Sequence, residues 1–301
     1  MENKREILLE SGTNELEIVE FGIGKNHFGI NVIKVREIIN PVSVTVVPHS
    51  HPHVEGIIEL RGEVLPVVDV AKAIGFPPSE TPEKDKFIVT EFNQQKIVFH
   101  VHSVSQIHRI SWQQIEKPSE MYQGSESQTI GVVKLNGEMI LLLDFEKIVV
   151  EINPESGINM ERVQKLGKRE RSNKHLLVAE DSPLLRKLIH NTLEEAGYHY
   201  VEFFENGQDA YQYLESIIQK GKDIEEEIQL VITDIEMPQM DGHHLTRKLK
   251  ENSDLSKLPV IIFSSLITDD LRHKGQVVGA DAQVSKPEID ELVRLIDELA
   301  L

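Results

Sequence analysis

Five side chains in the second half of the chain could carry phosphoryl chemistry if the fold brought them together: Glu180, Asp181, Asp234, Ser264 and Lys286. Three carboxylates in one place cannot all ionise without compensation. A hard divalent cation with oxygen ligands supplies it, and Mg²⁺ suits a site of few carboxylates completed by water and a phosphate oxygen. Such a cation would let an anionic phosphoryl group approach Asp234 as nucleophile. Lys286 would add a positive point charge and Ser264 a hydroxyl donor, both placed to stabilise charge on the transferring group.

The elements around these residues say how they could meet. HLLVAE, YVEFF, QLVITD, PVIIFSS and AQVS read as short apolar strands. Between and after them run helical stretches, PLLRKLIHNTLEEAG with Gly197 as its stop, Asn206 to Gln219, HHLTRKLKE, TDDLRHKGQVVG and EIDELVRLIDELAL. Five strands alternating with five helices predict a doubly wound parallel sheet with right-handed crossovers. Glu180-Asp181, Asp234, Ser264 and Lys286 each fall at the end of a different strand, and in such a sheet ligands bind beyond the carboxyl ends.

The pieces AEDS, TDIEMPQMDG, FSS and SKP, in that order, resemble the response-regulator receiver family over residues 174–301. The resemblance implies a flavodoxin-like α/β domain in which a histidine kinase phosphorylates Asp234. Asp181 and Asp234 would be direct Mg²⁺ ligands, the Glu236 backbone carbonyl a third, and Glu180 would act through water. The Lys286–Pro287 bond is expected cis. Two positions depart from the usual pattern. Glu236, two residues after the acceptor, is expected to slow or redirect dephosphorylation. Gln283 stands at the switch position where many receivers carry a Tyr or Phe, so the usual ring rotation cannot be assumed.

The first half reads as all-β. ELEIVEF, FGINVIKV, VSVTVV, VEGIIEL, EVLPVVDV, KFIVTEF, KIVFHVH, TIGVVKL and EMILLLDF are β-branched runs bounded by turn residues. A repeat lies within them: Gly56–Ile74 aligns without gaps on Gly131–Val149, with Gly56/Gly131, Leu60/Leu135, Gly62/Gly137, Glu63/Glu138, Asp69/Asp144 and Lys72/Lys147 identical. Each copy reads strand, tight turn, strand, short helix, and Asn136-Gly137 suits a two-residue hairpin turn because both positions need positive φ. Two similar β subdomains packed as one unit follow. Polar and basic residues 153–173 read as a linker, helical from Asn159 to Lys168.

VEGIIELRGEVLPVVDVAKAIG, the flanking VREII and GVVKLNGEMILLLDFEKI resemble the CheW-type coupling domain of bacterial chemotaxis, over residues 14–152. That fold, two intertwined five-stranded β barrels, agrees with the repeat. The resemblance implies binding to chemoreceptor signalling domains and to the histidine kinase CheA, with Arg61, before the hairpin glycine, at the partner interface. Glu59 stands where the family often has Asn. A coupling domain followed by a receiver is the arrangement of CheV-type coupling proteins. The implied function is a signalling adaptor between chemoreceptors and CheA, regulated by phosphorylation of Asp234 and contributing to adaptation. It would catalyse only its own phosphorylation and dephosphorylation, in the cytoplasm and peripheral to receptor arrays. Alternatives are a phosphate sink for CheA and a phosphohydrolase using Asp234 as nucleophile; the latter wants an Asp two residues on, where this chain has Glu236.

Composition narrows the field. There is no cysteine, which excludes disulfides and thiolate metal sites. The formal net charge is −18; residues 1–173 carry −6 and residues 174–301 carry −12. That argues against nucleic acid, which needs a basic face. About one helix follows Lys286, so output is expected through the N-terminal domain or a receiver surface. No apolar run is long enough to span a bilayer, and the start has no signal-peptide h-region. His49, His51 and His53 alternate in HSHPH, a polar loop in preference to a metal site. Trp112 is expected in the core.

Overall fold

The computed structural model describes residues 15–92, 95–116, 128–154 and 170–300. The chain divides into two units, one spanning 15–156 and the other including 157–301. The expected helix at 159–168 and most of the expected linker lie outside the described residues.

The N-terminal unit contains two sheets. The strands are β1 (Glu15–Ile23), β2 (Asn26–Asn31), β3 (Val35–Ile39), β4 (Val54–Leu60), β5 (Glu63–Asp69), β6 (Lys86–Phe92), β7 (Gln95–Val101), β8 (Ser103–Ser111), β9 (Ile115–Glu116), β10 (Thr129–Leu135) and β11 (Glu138–Leu143). Sheet order is β8-β1-β2-β11-β10-β9 in one and β3-β6-β7-β5-β4 in the other. Apart from the two-residue β9, the sheets have one topology: two antiparallel hairpins joined by a parallel contact, β2 with β11 and β7 with β5. The chain makes β1 and β2 of one sheet, then the whole of the other, then returns, so the two are intertwined.

The repeat explains this symmetry. Each copy is a hairpin followed by a helix: β4–β5 with α1 (Val70–Ala73), and β10–β11 with α2 (Phe145–Ile152). Both turns have two positive φ angles, 54° and 85° at Arg61-Gly62, 51° and 89° at Asn136-Gly137, the pair a two-residue hairpin demands. The repeated aspartates cap the helices: Asp69 Oδ1 accepts from the Lys72 amide at 3.0 Å, and Asp144 Oδ1 from the Lys147 amide at 2.9 Å. Ile58, Leu65, Val67, Phe87, Val89 and Val98 fill one core; Ile18, Ile110, Val133, Ile140 and Leu142 fill the other.

Three expectations need correction. VSVTVV forms no strand; only Thr45 makes a bridge, to Ile57, while Val42 and Val46 are exposed. Its flanking prolines, Pro41 and Pro48, limit pairing. FGINVIKV is two strands broken by a 3-10 turn at Val32–Lys34, where the Asn31 side chain accepts from the Ile33 amide. Trp112 is half-buried in the 3-10 turn Trp112–Gln114, outside the core; the Ser111 cap that starts this turn carries the chain off the sheet.

The C-terminal unit is a five-stranded sheet of β12 (Ser172–Ala179), β13 (Tyr198–Phe204), β14 (Leu230–Thr233), β15 (Val260–Ser264) and β16 (Ala282–Ser285), all parallel, in the order β13-β12-β14-β15-β16. Helices α3 (Pro183–Glu195), α4 (Gly207–Gln219), α5 (Ile224–Glu227), α6 (Gly242–Glu251), α7 (Asp269–Val277) and α8 (Ile289–Leu299) connect and follow them. Only the four-residue α5 was absent from the expected set. Two apolar clusters lie against the sheet, one including Leu176, Phe263 and Leu292, the other Leu177, Leu214 and Leu249. Helices cover both faces, so the central strands are continuous apolar runs.

Candidate functional site

The sheet order reverses between β12 and β14, and the candidate site lies just beyond their carboxyl ends, as ligand sites in such sheets do. Ala179 pairs with Thr233, which puts Glu180 beside Asp234. Ser264 is the last residue of β15, and Ser285, which precedes Lys286, is its register partner on β16.

Lys286 Nζ donates to Asp234 Oδ2 at 2.6 Å and lies 3.0 Å from Glu180 Oε2. Glu180, Asp234 and Lys286 are all buried, at 1, 5 and 5 % exposure. Glu180, Asp181 and Asp234 each offer a carboxylate oxygen within 4.8 Å of the others. Burial pushes the Glu180 carboxyl up to about 8; Lys286 opposes this, while Asp234 and Asp181 add to it. Burial thus favours the neutral form of the Glu180 carboxyl, and the adjacent Lys286 ammonium favours the charged one. A cation among the three acids would relieve the same conflict, and the donor set is all oxygen. These residues fit a hard divalent ion.

The main chain fixes Asp234. Its amide donates to the Ala179 carbonyl at 2.9 Å, and its Oδ1 accepts from the Ile235 amide at 2.6 Å. The Thr233 hydroxyl donates to the Asp234 carbonyl at 2.9 Å. Gly242 opens α6 directly behind it: a β-carbon there would lie 1.9 Å from the Asp234 carbonyl oxygen. Glycine in the MDG segment is thus a clearance requirement. Ser264 is fully buried, and its Oγ accepts from the Leu266 amide at 3.2 Å. Glu236 is half-buried in the loop after β14.

Sequence reading missed Arg186. It lies in the second turn of α3; Nη1 donates to the carbonyls of Glu180 and Asp181 at 2.7 and 2.8 Å, and Nη2 to Glu205 at 2.9 Å. It holds the acid pair by its backbone. No residue type or spacing announced it, since its partners in the acid pair are main-chain carbonyls.

The Lys286–Pro287 bond is trans, as are all described peptide bonds, against the cis expectation. Trans is the favoured isomer of X–Pro by about 0.5–1 kcal/mol, and the turn closes with it, the Glu288 amide donating to the Ser285 carbonyl at 2.8 Å. Gln283 donates through Nε2 to the Arg272 carbonyl of α7 at 2.8 Å.

In the N-terminal unit Arg61 stands at the β4–β5 turn, exposed, with Nη2 2.7 Å from Glu37 Oε2. His51 and His53 contact each other, ring centroids 4.7 Å apart. Glu180, Asp181 and Asp234 are the one grouping of three or more such ligands among the described residues, so HSHPH forms none. No described helix is long and apolar enough to cross a membrane.

Comparison with known proteins agrees with both units. The CheW-like domain model matches residues 17–153, and the response regulator receiver domain model matches residues 176–297. Chemotaxis protein CheV3 of Helicobacter pylori is 31% identical over 300 residues, 95% of this chain and 95% of its own. Chemotaxis protein CheW of Thermotoga maritima is 32% identical over 152 residues, 50% of this chain and 98% of its own. The crystal structure of the scaffolding protein TtCheW from Thermoanaerobacter tengcongensis is 28% identical, with a TM-score of 0.40, covering 42% of this chain and 88% of its own. Two matched domains in one order, and a relative aligned along nearly the whole length, lead to one assignment: the chain belongs to the CheV-type chemotaxis coupling proteins, adaptors that join a CheW-like domain to a receiver domain.

Proposed function

We propose that this adaptor couples chemoreceptor signalling domains to the histidine kinase CheA, and that phospho-CheA phosphorylates Asp234 to regulate the coupling. The observation that carries the reading is the buried Asp234 carboxylate, 2.6 Å from Lys286 Nζ and within 4.8 Å of the oxygens of Glu180 and Asp181.

In the transfer the P–N bond to the kinase histidine breaks and a P–O bond to an Asp234 carboxylate oxygen forms. Asp181, Asp234 and the Glu236 carbonyl would hold Mg²⁺ directly, and Glu180 through water. The ion supplies charge neutralisation between the anionic acceptor and the anionic phosphoryl group. Lys286 exchanges its contact with Asp234 for a phosphoryl oxygen, and the Ser264 hydroxyl donates to another. Arg186 and Gly242 position the acids.

Arg61 is the proposed interface anchor of the coupling domain, since arginine is enriched at binding hot spots. Its backbone supports this: φ of 54° disfavours a residue with a β-carbon, and the repeat copy carries Asn136 there. Regulation requires that the phosphorylated and unphosphorylated chains differ in affinity for the receptor–kinase partners. The test is to incubate the full chain with phospho-CheA and Mg²⁺, map the label, and compare receptor–kinase binding. Label on Asp234 with unchanged binding would mark a phosphate sink. Turnover of a phosphomonoester would favour the phosphohydrolase, and none is expected.

A further inference from the structure

His100, on β7, has a carboxylate at each ring nitrogen. Nδ1 lies 2.7 Å from Glu55 Oε1 on β4, and Nε2 lies 2.9 Å from Asp85 Oδ2, just before β6. A neutral imidazole has one N–H and can satisfy only one of them; the imidazolium donates to both. The geometry therefore calls for the charged ring. Burial pushes the imidazole down, but the hydrogen bonds and charges of Glu55 and Asp85 outweigh it and raise its pKa. The other titratable groups around it are engaged elsewhere. Asp69, the register partner of His100 on β5, caps α1 and lies 3.4 Å from Lys72 Nζ. Lys86 Nζ donates to the carbonyls of Lys84 and Asp85, at 3.1 Å each. His102 Nδ1 accepts from the Gly24 amide at 2.9 Å. The Phe87 ring of β6 meets His100 edge-on, centroids 5.1 Å apart.

This ring holds a strap, residues 76–85, which runs from α1 to β6. At its start the Phe76 amide donates to the Ala71 carbonyl at 2.7 Å, and the Phe76 ring packs edge-on against Phe28 of the other sheet, centroids 5.8 Å apart. At its end Asp85 is 2 % exposed. Ser79 Oγ donates to Asp85 Oδ1 at 2.6 Å and accepts from the Thr81 amide at 3.2 Å. Pro77, Pro78 and Glu80 to Lys84 are exposed. Asp85 thus ties down the middle of the strap, and His100 ties down Asp85. If the imidazolium lost its proton, Asp85 would be a buried carboxylate without its cation, which is costly. Moving that carboxylate to water carries the strap with it.

We infer that His100 is a proton-operated clasp in the coupling domain: as the imidazolium it joins Glu55 to Asp85 and holds down the strap of residues 76–85, and loss of its proton frees the strap. The clasp's contribution is complete below about 6.5, the unfolded value, and is lost as pH rises through the raised folded value. The strap therefore opens on the alkaline side. The clasp does not depend on phosphorylation of Asp234.

Two readouts on the full chain, followed from about half a unit below the ordinary histidine value to well above it, test this. Ring ¹⁵N shifts of His100 give its protonation state. Trypsin cleavage after the exposed Lys84, divided by cleavage of a free peptide spanning the same bond at the same pH, gives the freedom of the strap. The His100 midpoint is expected above about 6.5, and the normalised cleavage to rise several-fold through that same midpoint. Glu55→Gln, which removes one carboxylate charge at nearly constant size, lowers both midpoints together. His100→Gln is cut at the open rate at every pH. A His100 midpoint at or below the ordinary value overturns the charged clasp. Cleavage that does not change with pH in the native chain overturns the release, as does a cleavage midpoint that stays in place when Glu55→Gln moves the His100 titration. The two midpoints of the native chain decide the matter even where a variant fails to fold.

Discussion

Lys286 Nζ lies 2.6 Å from Asp234 Oδ2 and 3.0 Å from Glu180 Oε2, so one buried ammonium serves two buried acids. Removing it strands them. Lys286→Met is expected to lower the unfolding free energy of the metal-free receiver unit by about 3 kcal/mol, the usual scale for breaking a buried ion pair. Mg²⁺ should recover part of that loss. Urea unfolding with and without Mg²⁺ checks both, and equal midpoints for variant and native chains would contradict the ion-pair assignment.

Gly242→Ala puts a methyl 1.9 Å from the Asp234 carbonyl oxygen and 2.8 Å from its carbon. Main chain cannot yield as a flexible side-chain tip can, so the cost is expected near the upper end of overpacking, about 3 kcal/mol. Because the displaced residue is the acceptor, Mg²⁺ affinity by titration calorimetry should fall as well. Ala at Gly275 is expected to leave Mg²⁺ affinity unchanged.

His243 gives the receiver unit a pH dependence. Burial holds its imidazole down at about 4, with the charge of Lys274 the next cause and Asp241 opposing. The unfolded chain takes up this proton near 6.5, so between 6.5 and about 4 the unfolded state binds more protons and stability falls as pH falls. The linkage is worth about 3 kcal/mol over that window. His243→Gln removes it, and the difference in urea stability between the two proteins should change by that amount between pH 7 and pH 4. A constant difference would contradict the buried neutral state.

Arg61→Asn places the residue of the repeat copy at the same turn geometry. Asparagine tolerates positive φ, and the exposed pair with Glu37 contributes little. Stability is expected to stay level or rise by up to about 1 kcal/mol, while binding to receptor and kinase falls at least several-fold. A variant that loses stability and keeps binding would show that Arg61 is a structural turn residue.

The acids and the lysine were legible because each follows an apolar strand, and a parallel sheet collects its strand ends in one place. Arg186 was hidden because it acts on main-chain carbonyls, which no residue type announces. The repeat revealed two like sheets, since tight turns and caps leave fixed residues, Gly62/Gly137 and Asp69/Asp144. β8 was missed because SVSQIHRIS mixes polar and apolar residues; its pairing with β1 makes it a strand. VSVTVV shows the reverse, a β-branched run without neighbours to pair along it. Gln283 was visible as a departure, but its contacts, the Arg272 carbonyl and the bare side of Gly275, appear only once α7 is packed beside β16.

The most direct measurement of regulated coupling is the binding of the full chain to receptor–CheA complexes, with native and Asp234→Ala proteins compared before and after a phosphodonor with Mg²⁺. The expected result is that the phosphodonor labels Asp234 and changes the affinity of the native chain at least several-fold, while Asp234→Ala takes no label and does not respond. Equal affinity of labelled and unlabelled native chain would contradict it.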